Sequence, residues 1–176
     1  MDKIVTHSSA MPPGSSTTPP PIGCADTTIR VRYAETDQMG VVYYGNYFTW
    51  FEVGRVELCR QFGFEYKRME SEDDSYIVVA EAYCRYQRPA RFDDVLTIRT
   101  RITQSQRRTV RFGYEILQQQ SGELIATGET LHVICDRLGR PKSLPEKYRK
   151  FFPAIGHHVL RSKSKPAGNP ALSPRA

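Results

Sequence analysis

The hydrophobic pattern of the chain predicts one strand, one long helix and then a run of strands. Residues 27–33 alternate between polar and apolar side chains, which is typical of a strand with one buried face. Residues 45–62 instead repeat large apolar side chains at helical spacing, and these are Tyr47, Trp50, Phe51, Gly54, Leu58 and Phe62. Because Phe48 and Val53 widen this apolar face, the helix is expected to be enclosed on most sides.

The second half of the chain reads as strands, because residues 95–102 and 110–117 alternate between apolar and polar side chains and residues 76–88 are rich in β-forming residues. Strands are predicted over residues 76–88, 95–102, 110–117 and 124–135, and a short helix over 145–152. Gly54 costs about 1 kcal/mol in a helix relative to alanine, so another backbone is expected to approach the helix there. A single helix covers five strands only if the sheet curls around it. The pattern therefore favours an α+β hotdog fold, an antiparallel sheet around a long central helix, over a sandwich with the helix on one face.

Composition divides the chain into a core and two tails. Residues 1–26 are rich in proline, serine and threonine, and residues 153–176 carry prolines and basic side chains, so both are expected to be disordered. The folded domain is then residues 27–152. The tail at 153–176 contributes much of the net charge of +6, and the core mixes both signs. Such a core is not a nucleic-acid-binding surface by charge alone.

The cysteines and the apolar runs argue against a metal-binding, secreted or membrane-spanning protein. Cys24, Cys59, Cys84 and Cys135 show no C-x-x-C spacing, which argues against a zinc cluster or a redox motif. The N-terminus lacks the apolar run of a secretory signal, and no stretch approaches the ~18 apolar residues of a membrane span. We therefore expect a cytoplasmic protein with reduced thiols, without a membrane span.

The segment 31–55 carries the candidate chemistry. It joins the first strand to the helix through a turn that contains Asp37, and the helix begins around Gly45 and Asn46. Backbone N–H groups at a helix N-terminus can hold a developing oxyanion, while a carboxylate attacks or activates water. These parts suit acyl chemistry. An isolated aspartate of this kind more often only caps its turn.

The surrounding residues change that balance. The run Y-x-E-T-D-x-x-G-V-V-Y-Y-x-N-Y-x-x-W-F-E, residues 33–52, resembles the signature of the 4-hydroxybenzoyl-CoA thioesterase family. That family includes the small acyl-CoA thioesterases encoded beside the Tol-Pal envelope system. The resemblance continues through residues 80–102 and 133–147 and covers residues 27–152. It implies an acyl-CoA substrate, no metal or cofactor, and a homodimer or homotetramer with sites at the subunit interface.

The resemblance also implies roles for single residues. Asp37 corresponds to the catalytic aspartate, and the backbone N–H of Tyr44 to the oxyanion-binding group. Gly40 is the turn glycine between them, and Asn46 opens the helix. The Tol-Pal-associated members have histidine where this chain has Tyr44. Catalysis assisted by an imidazole is therefore not expected here, whereas a backbone N–H does not depend on the side chain.

Glu52 is the main candidate for substrate selection. It stands where the hydroxybenzoyl enzymes carry a carboxylate that faces the acyl group. Equally, it can simply pair with Arg55 at i+3 on the helix. We therefore expect broad activity on aliphatic acyl-CoA rather than strict aryl specificity. The alternative function is a non-catalytic module that binds acyl-CoA or acyl-carrier protein and uses Asp37 only as a turn cap.

The other candidates have equally plain structural roles. Tyr43 and Tyr47 can border an acyl pocket, but they are first of all core or interface aromatics. Arg107 and Arg108, at the tip between two strands, are either solvated turn charges or ligands for the phosphates of coenzyme A. His132 is expected to be a hydrogen-bonded strand histidine rather than a catalytic one.

Overall fold

A computed structural model describes residues 23–152. The elements, in chain order, are strand β1 Cys24–Arg30, helix α1 Asn46–Gln61, helix α2 Tyr66–Asp73 and strands β2 Tyr76–Tyr86, β3 Val95–Ser105, β4 Thr109–Gln118 and β5 Leu124–Cys135. Short 3₁₀ helices cover Tyr33–Glu35 and Glu146–Phe151. Strand β1 begins before the predicted domain boundary at residue 27. Residues 1–22 and 153–176, where most of the two predicted tails lie, are outside the described residues.

The strands form one antiparallel sheet in the order β1-β3-β4-β5-β2, which confirms the predicted five-stranded antiparallel sheet. Its middle is apolar on one face, since Ile98 of β3 lies opposite Ile116 of β4 and Ile116 lies opposite Ala126 of β5. Strand β2 pairs with β5 and not with β3, its neighbour in sequence. Strands β1 and β2 are therefore the two edges of the sheet.

Helix α1 packs its apolar face against the sheet. The buried helical residues are Tyr47, Trp50, Phe51, Gly54, Leu58 and Cys59. The Phe51 ring stacks on Tyr114 of β4 with the ring centroids 4.3 Å apart. A Cβ added to Gly128 of β5 would lie 2.3 Å from the Phe51 ring, so glycine is needed to admit that ring. Helix α1 lies within the predicted range and buries the predicted apolar residues, except that Phe62 is only partly buried and that Val53, expected to widen the buried face, is exposed.

The glycine inside α1 marks a close approach of helix and sheet, as predicted. A Cβ on Gly54 would lie 2.4 Å from Thr100 Oγ1 and 2.8 Å from Ile98 Cγ2, both on β3. The neighbouring atoms belong to side chains, not to the backbone that was expected. A glycine here lets the helix lie closer to β3 than any other residue would allow, which offsets its poor helix propensity.

Two connections differ from their predictions. The acidic segment after α1, where the hydrophobic pattern predicts neither a helix nor a strand, contains helix α2, Tyr66–Asp73. Its single buried residue, Met69, gives no repeating apolar signal, so the helical period could not be seen in the sequence. The predicted terminal helix over 145–152 is a 3₁₀ helix, Glu146–Phe151, with Tyr148 as its buried residue.

His132 is a buried strand residue, as predicted. Its Nε2 lies 2.8 Å from Thr130 Oγ1, and Tyr114 OH lies 2.8 Å from the same hydroxyl. Burial, with a smaller contribution from the positive charge of Arg55, lowers the pKa of His132 to about 3. The imidazole is therefore neutral in the folded protein at physiological pH.

We expect this buried imidazole to make the fold acid-sensitive. Below pH 6.5 the unfolded chain binds a proton at His132 that the folded chain does not, so stability falls as the pH falls toward 3. Between pH 6 and 5 this group lowers the free energy of unfolding by about 1.4 kcal/mol per pH unit. Urea unfolding at several pH values should show that the free energy of unfolding depends less on pH in His132→Gln than in the wild type. Identical dependence in the two proteins would contradict the assignment.

Candidate active site

The loop between β1 and α1 is held in a tight turn. Thr36 forms an antiparallel bridge with Val42. Inside that bridge, Asp37 N–H donates to Val41 O at 2.9 Å and Gly40 N–H donates to Asp37 O at 2.9 Å. Gly40 has φ +70°, a left-handed conformation that glycine adopts without strain. Asp37 consequently stands at the start of a rigid turn.

The two oxygens of the Asp37 carboxylate have different surroundings. Oδ1 accepts a 2.8 Å hydrogen bond from Met39 N–H, the turn cap that an aspartate in this position commonly makes. Oδ2 has no hydrogen-bond partner within residues 23–152, and the side chain is exposed. The cap therefore orients the carboxylate and leaves one oxygen available.

The start of helix α1 leaves backbone donors open. Asn46 N–H donates to Tyr43 O and Tyr47 N–H to Tyr44 O, which accounts for the first helical amides. Gly45 is the N-cap and supplies no capping side chain. The Tyr44 N–H, just before that cap, has no acceptor in the described part of the chain. An open amide at the positive end of a helix can stabilise a developing negative charge.

An apolar cavity of about 280 Å³ opens beside Tyr44. Its lining residues are Val41, Val42, Tyr44, Tyr47, Tyr86, Gln87, Arg88 and Pro89. Tyr86 OH donates to Tyr44 O at 3.1 Å. Burial and a hydrogen bond with Cys84 raise the pKa of Tyr86 to about 12, so its hydroxyl remains a donor. The wall of the cavity is thus tied to the peptide unit that follows the open Tyr44 amide.

The structure brings together the predicted residues of the loop but not Glu52. Tyr43 is exposed at the loop, and Asn46 Nδ2 donates to Glu35 O at 2.7 Å, so Asn46 anchors the loop. Glu52 is exposed on α1 and does not line the cavity. No ion pair joins Glu52 to Arg55 among the described residues, so the alternative role of Glu52, an i+3 pair on the helix, is not formed either. Arg55 lies instead against the hydroxyls of two tyrosines, Tyr66 and Tyr114.

Arg107 and Arg108 lie far from this loop within one chain. They follow the C-terminal end of β3, whereas Val31 N–H bonds Asp94 O beside the other end of that strand. Strand β3, Val95–Ser105, is about 30 Å long at ~3.3 Å per residue. Two arginines between β2 and β3 are instead near the loop: Arg88 lines the cavity, and Arg91 Nη1 donates to Gly40 O at 3.4 Å.

Sequence reasoning missed Glu35. This carboxylate is only 5% exposed. It accepts hydrogen bonds from Arg32 N at 2.7 Å, Arg32 Nη2 at 3.0 Å and Trp50 Nε1 at 3.1 Å. A glutamate between polar residues in a turn predicts a solvated side chain. The one available signal was its place two residues before Asp37 in the gapped motif.

Within residues 23–152, no three His, Cys, Asp or Glu side chains come close enough together to hold a metal ion. None of the helices in the described part of the chain combines the length and the apolar character that crossing a membrane requires.

An antiparallel five-stranded sheet that packs on a long helix, with the open loop at the helix start, defines a thioesterase-like domain of the hotdog class. The chain belongs to the thioesterase-like superfamily, whose family model matches residues 31–152. It is similar to a putative acyl-CoA thioesterase, YneP, of Bacillus subtilis, with 36% identity over 137 residues, 78% of this chain and 94% of that protein.

Two further relatives agree with this assignment. The acyl-CoA thioesterase YbgC of Haemophilus influenzae is 30% identical over 131 residues, which cover 74% of this chain and 93% of that protein. The solved structure of a DHNA-CoA thioesterase from Staphylococcus aureus superposes with a TM-score of 0.70 and 31% identity. That match covers 73% of this chain and 88% of the other.

Proposed function

We propose that the protein hydrolyses acyl-CoA thioesters to a free carboxylic acid and coenzyme A. The observation that carries the proposal is one short loop that presents both a free carboxylate oxygen on Asp37 and an open Tyr44 N–H beside an apolar cavity. The names of the relatives, acyl-CoA thioesterases among them, support the same activity.

In the proposed reaction the thioester carbonyl oxygen accepts a hydrogen bond from Tyr44 N–H, which stabilises the oxyanion that forms. In one route Asp37 attacks the carbonyl carbon, the carbon–sulfur bond breaks, and the coenzyme A thiolate leaves and takes up a proton. Water then hydrolyses the resulting mixed anhydride. In the other route Asp37 accepts a proton from the water that attacks directly. Of Tyr44, both routes use the backbone N–H and not the side chain.

The sheet is proposed to curl around α1, as the wrapped fold requires. Phe51 reaches both Tyr114 on β4 and Gly128 on β5, while Gly54 lies against β3. One helix thus touches three neighbouring strands.

Edge strand β2 is the proposed dimer contact. Its exposed large side chains are Val78, Val79, Tyr83 and Tyr86. The other edge, β1, instead carries charges that are already paired, Asp26 with Arg99 and Arg30 with Asp93. An apolar, exposed edge is the one that requires cover, because unpaired backbone groups and apolar side chains invite another strand. Pairing of two β2 edges would cover both.

Such pairing also accounts for the distant arginines. The Tyr86 end of β2 lies at the Tyr44 loop, and the Tyr76 end lies beside Cys135. Ile134 N–H donates to Arg108 O, so the arginine hairpin is near the Tyr76 end. Antiparallel pairing of two β2 strands across a two-fold axis sets the Tyr76 end of one against the Tyr86 end of the other. Arg107 and Arg108 of each subunit would then approach the other subunit's loop and serve the coenzyme A phosphates.

Substrate preference tests this proposal. We expect thiol release from butyryl-CoA to dodecanoyl-CoA and from benzoyl-CoA with kcat/KM values that differ by less than the ~100-fold that a dedicated polar contact provides. Glu52 is exposed and outside the cavity, so Glu52→Ala should leave the profile unchanged. Steady-state kinetics on these substrates and hydroxybenzoyl-CoA measures it. A preference of ~100-fold for hydroxybenzoyl-CoA that Glu52→Ala abolishes would contradict the prediction.

A second candidate is a non-catalytic acyl-CoA binding module, which the cap from Asp37 to Met39 N–H favours. The same substrate panel separates the two functions when binding is measured by calorimetry alongside thiol release. Binding without any thiol release across the panel would favour the module and overturn the hydrolase.

A further inference from the structure

The proposed mechanism does not use Glu35, the buried carboxylate of the loop. Burying an ionised carboxylate is costly unless hydrogen bonds and charge compensate it. Burial acts to raise the pKa of Glu35, but hydrogen bonds from Arg32 and Trp50, together with the Arg32 charge, hold that pKa below its usual value. The side chain is therefore ionised and fully engaged at neutral pH.

The carboxylate joins the loop to helix α1. Oε2 accepts from Arg32 N–H at the entrance of the loop, and Oε1 accepts from Trp50 Nε1 on the first turns of α1. The indole is itself buried, at 2% exposure, so this hydrogen bond is shielded from water. A shielded bond to a charged acceptor is stronger than a neutral, solvated one.

The backbone carbonyl of the same residue holds the other end of the loop. Glu35 O accepts from Tyr43 N–H at 2.9 Å and from Asn46 Nδ2 at 2.7 Å. Residues 36–45, which carry both Asp37 and Tyr44, are thus attached to Glu35 where they begin and where they end.

A chain of aromatic rings extends this support to the cavity. Trp50 packs on Tyr47 with centroids 4.9 Å apart, and Tyr47 meets Tyr86 edge to face at 4.9 Å. Tyr86 OH in turn donates to Tyr44 O. The peptide unit of Tyr44 is therefore supported from both sides. Before it, Tyr43 N–H donates to Glu35 O. After it, Tyr44 O accepts from Tyr86, whose ring packs on Tyr47 and through it on Trp50, the residue that Glu35 binds.

We propose that Glu35 is the positioning residue of this site and fixes the Tyr44 N–H and the Asp37 carboxylate relative to each other. The inference rests on the proposed thioesterase function, and it adds a residue that touches neither substrate nor reacting atoms. A displacement of about 1 Å between such groups lowers a rate by as much as ~100-fold, with little effect on binding.

The test uses the full-length protein with Glu35→Ala, Glu35→Gln and Trp50→Phe. We expect kcat for a good acyl-CoA substrate to fall by about 10- to 100-fold in Glu35→Ala, with KM within about 3-fold. Glutamine keeps the volume and one acceptor oxygen, so Glu35→Gln should recover part of the lost kcat. Trp50→Phe should reduce kcat in the wild-type background and have less effect in Glu35→Ala, because coupled residues are not additive.

Met69→Ala provides the matched control for stability. Met69 is fully buried on helix α2, outside the loop, so the cavity left by its shortened side chain should lower the melting temperature, and kcat well below that temperature should be unchanged. A kcat within 3-fold of wild type in Glu35→Ala would overturn the proposal, as would equal kcat losses in Met69→Ala at equal loss of stability. If Glu35→Ala does not fold, the test rests on Glu35→Gln and Trp50→Phe. An unchanged kcat in both variants overturns the positioning role of Glu35.

Asp37→Asn separates this failure from failure of the proposed function. If Asp37→Asn is inactive while the Glu35 variants keep full kcat, only the positioning role is wrong. If Asp37→Asn retains the wild-type rate, the site on which Glu35 would act is itself misassigned, and the positioning role is overturned with it.

Discussion

Asp37→Asn is expected to reduce thioester hydrolysis by about 10²- to 10⁴-fold, the range that positioned acid–base groups contribute. Asparagine keeps an oxygen that can accept from Met39 N–H, so the turn should persist. It removes the charge, and with it the capacity to attack the carbonyl or to take a proton from water. Because Asp37 is exposed, the melting temperature should not change. Thiol release at saturating acyl-CoA, with thermal unfolding in parallel, measures both effects.

Asp136 offers a matched control for that substitution. Its Oδ1 accepts from Leu138 N–H at 3.0 Å, the same type of turn cap that Asp37 makes with Met39. Asp136→Asn should therefore change a capped turn without changing activity. Full hydrolysis by Asp37→Asn would show that Asp37 is a cap and nothing more.

Val79→Lys is expected to separate the proposed dimer and to remove most of the activity. Val79 is 50% exposed on edge strand β2, and a lysine there places like charges against each other across paired edges. Light scattering should show the mass falling to that of one chain. Since the proposed phosphate ligands come from the other subunit, kcat/KM should fall by about 10-fold or more, chiefly through KM.

Thr28→Lys is the control on the opposite edge. Thr28 is exposed on β1, where the same charge should leave both mass and activity unchanged. A Val79→Lys protein that is monomeric and fully active would disprove the shared site. A Thr28→Lys protein that dissociates would place the interface on β1.

The elements could be predicted from the sequence, whereas their pairing could not. Helix α1 repeats apolar residues over four turns, strands β3 and β4 alternate, and strand β2 is rich in β-forming residues, so the local pattern located them. Strand β2 directly precedes β3 in the sequence, yet it pairs with β5 through contacts that form only in the folded chain. The short helix α2 buries Met69 alone and therefore left no periodic trace.

For the site, the gapped motif located the loop, but the contacts within it required the structure. The motif predicted Asp37 and Tyr44, and both lie in the loop that leads into α1. It could not show that Glu35 is buried, because that burial depends on Trp50, fifteen residues later. Nor could it show that Arg107 lies at the far end of β3, since reach across a sheet is a property of the whole fold.

The glycine of α1 also has a consequence for how substrate range can vary. At Gly54 the helix already lies against Thr100 and Ile98, and at Gly128 the sheet makes room for Phe51. The helix is held at these points and has little freedom to slide, so its first turn, about 12 Å away at 1.5 Å per residue, stays in place. The distance between the open amide and the sheet is then a constant of the scaffold. Longer or bulkier acyl groups must then be accommodated by substitutions of cavity-wall residues such as Tyr47 and Tyr86. The thioester end of the substrate stays in the same position.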